Sequence, residues 1–116
     1  MMIESDRILF SILGYYKERE LAYPDAKEAL DFAVTEMGEA MDAWIRENQK
    51  GWTRNNDREA NFGFELGDIY QMLEIASFAH TGRSLFENLK EKWKTKGFDA
   101  DEYLQTKIKR SSSGAS

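Results

Sequence analysis

The sequence predicts an all-α protein, a helical bundle of about four to five helices. Three observations predict it. The chain holds one proline, so little interrupts helix propagation. Apolar residues recur at helical spacing. Four oxygen-bearing side chains are each followed three residues later by glutamate: Asp25 and Glu28, Asn56 and Glu59, Ser84 and Glu87, Asp99 and Glu102. Each pair fits a capping box, in which side-chain oxygens meet free N–H groups at a helix start.

These signals place helices at roughly 4–20, 25–49, 57–80, 84–96 and 100–109. The breaks are "AYP", "GWTRNN", "TG" and "KGF", where glycine and asparagine tolerate the left-handed backbone of turns. Residues 1–110 are expected to form one domain, and "SSSGAS" at 111–116 a disordered tail.

In the second helix Leu30, Val34, Met37, Met41, Trp44 and Ile45 form one apolar stripe. Glu36 and Glu39 lie on a flank beside Gly38 and Ala40. In the third, Leu66, Ile69, Tyr70, Leu73 and Ala76 form the main stripe, and Met72, Ile75 and Ala79 widen it. Gly67, Gln71 and Glu74 mark a narrow polar side. Glu65 and Asp68 lie with the widened apolar surface, so this helix is expected to be central. In the fourth, Leu85, Leu89 and Trp93 face the bundle, and Asn88, Lys92 and Lys96 follow at i, i+4 spacing.

Composition narrows the function. Hydrophobic residues make up 41% and charged residues 32%, an ordinary globular balance. The net charge of −5 disfavours wrapping a nucleic acid backbone, so no stable nucleic-acid complex is expected. No apolar run approaches the ~20 residues that span a bilayer. "MMIESDRILF" lacks the pattern of a secretory signal, and cytoplasmic residence is the expectation. Without cysteine, disulfides and thiolate metal sites are excluded.

Each central helix thus carries an acidic i, i+3 pair on a flank that ought to meet another helix. If the two helices are antiparallel neighbours, Glu36, Glu39, Glu65 and Asp68 converge. Two carboxylates ~5 Å apart repel by about 3 kcal/mol at an effective dielectric of ~20. Protons or cations must neutralise them. Oxygen ligands favour hard divalent ions, Mg²⁺ or Mn²⁺. A di-iron bundle would need Glu-x-x-His from two helices, and the one histidine, His80, does not complete that pattern. The ordinary alternative for any single pair is a solvated helix face with lysine or arginine partners.

"EMGEAMDAW" followed by "FELGDIYQML" resembles the E-x-x-E … E-x-x-D pattern of the MazG-like all-α nucleoside triphosphate pyrophosphohydrolases, over about residues 25–96. The resemblance implies a helical bundle completed as a dimer or a dimer of dimers. It implies Mg²⁺-dependent cleavage of a (d)NTP between the α and β phosphates, giving a (d)NMP and pyrophosphate. It makes Glu36, Glu39, Glu65 and Asp68 the metal ligands, with Glu36 or Glu39 also taking a proton from the attacking water. Lys92 and Lys96, with Asn88, are the candidate phosphate contacts; the bland alternative is a basic helix end favoured by the helix dipole. Tyr15, Tyr16, Phe32 and Trp52 qualify by residue type alone to stack on a base, and ordinary core or interface packing is the stronger reading for each.

The apolar circumference of the two central helices exceeds what one small bundle covers, so a homodimer or larger homo-oligomer is expected. The competing expectation is a non-catalytic helical scaffold whose acids form an ion-pair lattice. A nucleic-acid regulator acting through the basic residues of 90–110 is the weakest alternative.

Overall fold

The computed structural model describes residues 4–49 and 61–113, with side chains over 6–49 and 61–108. Among them are five helices: α1 (Glu4–Glu18), α2 (Ala26–Glu47), α3 (Phe62–Thr81), α4 (Leu85–Thr95) and α5 (Ala100–Ser113). The all-α expectation holds. The chain divides into two compact units, Met1–Ser84 and Leu85–Ser116.

In the first unit Pro24 is buried just ahead of the cap of α2. Asp25 closes a full capping box: its Oδ1 accepts from Glu28 N at 2.8 Å, and its own N–H donates to Glu28 Oε1 at 3.1 Å. The cap of α3 corrects the sequence reading. The helix starts at Phe62, and Asn61 Oδ1 accepts from Phe64 N at 2.8 Å. Asn56 and Glu59 lie outside the described residues. Glu47 at the end of α2 adds a second acceptor, taking the Phe62 N–H at 3.2 Å. Gly82 ends α3 with φ 72, a left-handed cap that costs glycine little.

α2 and α3 pack along a face that hydropathy alone does not select. Ala29, Ala33, Ala40 and Ala43 are buried, whereas Leu30, Val34, Met37, Met41, Trp44 and Ile45 are 47% to 72% exposed. The alanines recur at heptad spacing, and Glu36 falls between them on the same line. Small side chains let the two helix axes approach closely. α1 closes the unit, with Ile12 and Tyr16 clustering against Ala29, Ile75 and Ala76.

Glu74 departs from expectation. It is 1% exposed rather than on a polar side. Tyr16 of α1 reaches that side of α3. Gln71 Nε2 donates to Tyr16 Oη at 3.3 Å, and Tyr70 Oη donates to Glu74 Oε2 at 3.0 Å.

In the second unit Asp99 caps α5, accepting from Glu102 N at 2.9 Å. Edge-on rings link Phe86 to Trp93 and Trp93 to Phe98, and Phe98 tilts against Tyr103. Lys90 bridges Glu87 at 3.2 Å and Asp101 at 3.3 Å, tying α4 to α5. α5 runs to Ser113, past its expected end. No helix of the described residues is long and apolar enough to cross a membrane.

Candidate metal centre

The alanine seam determines where Glu36 goes. Its neighbours on that line face α3, so Glu36 is carried into the helix–helix contact and is half-buried. Glu65 enters from the first turn of α3 and is 6% exposed. Asp68, one turn on, reaches the same place from an exposed position. One carboxylate oxygen from each of Glu36, Glu65 and Asp68 lies within 4.8 Å of the others. Oxygens sharing one Mg²⁺ at ~2.1 Å sit about 3 Å apart when adjacent and about 4.2 Å when opposite.

Electrostatics mark the cluster as under-neutralised. Burial pushes the Glu36 carboxyl up to about 7 from 4.5, reinforced by contacts with Glu65 and Glu39 and by the charge of Asp68. The charges that push it up are those of Glu39 and Asp68. Glu36 Oε2 and Glu65 Oε2 are buried without a hydrogen-bond donor. Two ionised carboxylates cannot bond to each other, and a shared proton or a cation would satisfy both oxygens. An all-oxygen set fits a hard divalent ion.

Glu39 lies close enough to raise the Glu36 pKa, but it is exposed and outside the group of three. Lys92 is exposed on α4. Lys96 is also exposed, in the turn after the helix, where its N–H donates to Trp93 O at 2.9 Å. Asn88 is half-buried on α4. All three belong to the second unit. Among the residues considered for base stacking, Tyr16 is a core residue at 8% exposure, Tyr15 and Phe32 are exposed, and Trp52 lies outside the described residues.

Sequence reasoning missed an apolar cavity of about 390 Å³ beside the acids, lined by Met37, Met41, Trp44, Phe62, Leu66 and Ile69. Met37, Leu66 and Ile69 each adjoin a member of the acidic trio in sequence, which was the available signal. No protein-family model, curated protein or solved structure matches this chain. The centre is therefore argued from its geometry: an all-α protein with an acidic cluster able to hold a divalent ion.

Proposed function

We propose that this chain is a Mg²⁺-dependent nucleoside triphosphate pyrophosphohydrolase, with Mn²⁺ as a substitute. It adds water across the bond between the α and β phosphates of a (d)NTP, releasing a (d)NMP and pyrophosphate. The observation that carries this reading is the convergence of Glu36, Glu65 and Asp68 with two donor-less buried oxygens. The E-x-x-E … E-x-x-D resemblance supplies the reaction class. Clearing unwanted nucleotides from the cytoplasmic pool is the cellular role that goes with it.

Glu36, Glu65 and Asp68 hold the ion on two helices packed along an alanine seam, and Glu39 completes the set or serves as proton acceptor. When bound, the divalent ion neutralises phosphate charge and lowers the pKa of a water. In the second case Glu39, which is exposed, would take the proton of the attacking water. Lys92 and Lys96, with Asn88, are proposed to contact the phosphates. A second copy of this chain is the proposed cover for the exposed α2 stripe, giving a homodimer or dimer of dimers.

The test is a Mg²⁺-dependent hydrolysis panel over common and modified nucleotides, detecting pyrophosphate and orthophosphate separately. Pyrophosphate with monophosphate is expected, and its loss in Glu39→Gln and Glu65→Gln. The exposed stripe also favours a second reading, a non-catalytic interaction module. Metal response separates the two. An ion at 100-fold its dissociation constant stabilises an enzyme site by about 2.7 kcal/mol. A scaffold shows neither turnover nor a thermal shift with Mg²⁺ or Mn²⁺.

A further inference from the structure

The apolar cavity beside the acids has no part in holding the ion. Its volume of about 390 Å³ falls within the range of small-molecule sites, about 300–1,000 Å³. Met37, Met41 and Trp44 line it from α2, and Phe62, Leu66 and Ile69 from α3. Ala40, buried in the seam, lines it too. The cavity and the trio share the same stretch of both helices: Ala40 is one turn on from Glu36, and Ile69 one turn on from Glu65. A small ligand whose anionic end is held at the trio therefore has this cavity within reach.

The lining decides what the other end of that ligand can be. Its side chains offer one hydrogen-bond donor, the Trp44 indole N–H, and no acceptor stronger than a thioether. The N–H of Phe62, at the start of α3, is already given to Glu47 at 3.2 Å. A nucleobase thus finds almost nothing here to pair with the donors and acceptors of its edge. Its faces and any apolar substituent do find partners. Trp44 and Phe62 offer rings, and the Met37 and Met41 thioethers adapt to soft, polarisable groups. Met37, Met41, Trp44 and Leu66 are 61%, 60%, 50% and 47% exposed, so the cavity opens to water and a base edge can stay solvated there. The same exposure is apolar surface for a ligand to cover. Leu30, Val34 and Ile45 of the α2 stripe lie outside the lining and remain for a second copy.

The geometry points to a cavity that selects the base by its apolar surface: the nucleotides favoured are those whose base carries a methyl group or a halogen, over the same base without it. This names the substrate class within the function proposed above and rests on that reading.

The experiment titrates the full chain, in saturating Mg²⁺, with dUMP, dTMP and 5-iodo-dUMP. These have no bond between α and β phosphates to cleave, and they differ at one carbon of the base. Calorimetry gives the affinity, and ¹³C-methyl NMR of the methionines gives the place of binding. dTMP is expected to bind about tenfold tighter than dUMP, with 5-iodo-dUMP at least as tight as dTMP. The Met37 and Met41 methyls should shift, and that of Met72, which packs against the core cluster of α1, should not. Met41→Gln and Leu66→Gln, at exposed positions that tolerate a polar side chain, should bring dTMP down to the level of dUMP. Equal affinity for dUMP and dTMP overturns the proposal, as does binding that leaves Met37 and Met41 unmoved, or no binding of any of the three. Methyl shifts that follow protein concentration instead of nucleotide show a second copy in the cavity and overturn it too. Pyrophosphate release from a (d)NTP, without any preference for the methylated base, overturns the cavity alone. Tighter binding of dTMP, with no turnover of any triphosphate, upholds the cavity and removes the hydrolase reading.

Discussion

Glu36 concentrates the chemistry into one side chain. Its carboxyl is pushed up to about 7, first by burial and then by Glu65, Glu39 and Asp68. The folded state thus holds a proton that the unfolded state releases from near 4.5 upward. The Glu36 contribution to metal-free stability is fully present below about 4.5 and is lost as pH rises through about 7. In EDTA, Tm should fall between these values, and Glu36→Gln should flatten the slope in a thermal unfolding series. Saturating Mg²⁺ should flatten it too, because the ion takes the place of the proton. Mn²⁺ affinity should accordingly drop by about tenfold per pH unit below that pKa, read by titration calorimetry. Glu65→Gln should raise the metal-free Tm, since its amide offers the donor that the buried Glu36 oxygen lacks, and should abolish the metal-induced shift. Glu36, Glu39, Glu65 and Asp68 were all legible as candidates from spacing. The separation of Glu39 from the trio was not, because i, i+3 spacing gives a shared face and says nothing of side-chain reach.

Helices α2 and α3 form through local signals that read directly from the chain. Asp25→Ala should cost about 1 kcal/mol in chemical denaturation and leave metal affinity unchanged, since the cap lies well along α2 from Glu36. Ala43 is different. It is 0% exposed in the seam, and Ala43→Leu should overpack it at a cost of about 1–3 kcal/mol. Spreading the helices would also part Glu36 from Glu65, so the Mg²⁺ thermal shift should shrink with the lost stability. The capping rule found Asp25 and Asp99 correctly. It chose Asn56 for α3 because a glutamate follows three residues later, whereas Asn61 has Phe64 there and is helped by Glu47 from a different helix. A cap completed across the chain has no local pattern.

At the scale of the whole molecule, the exposed stripe of α2 is the surface that the proposed homo-oligomer would cover. Met41 is 60% exposed and Val34 is 72% exposed. Sedimentation at micromolar concentration should show a dimer or larger species, and Met41→Lys should shift it toward monomer while the acidic trio keeps its metal response. The sequence by itself determined the all-α class, the five helices and the four acids worth watching, because caps, spacing and composition act within a few residues. It identified apolar stripes but could not say which face would be buried. The tertiary structure decided that the alanines, not the larger side chains, meet α3. Close approach of two helices depends on both partners at once, and a hydropathy pattern describes only one. The same contact carried Glu36 toward Glu65 and Asp68. The burial of Glu74, too, was decided only in the tertiary structure, where Tyr16 of α1 packs on that helix.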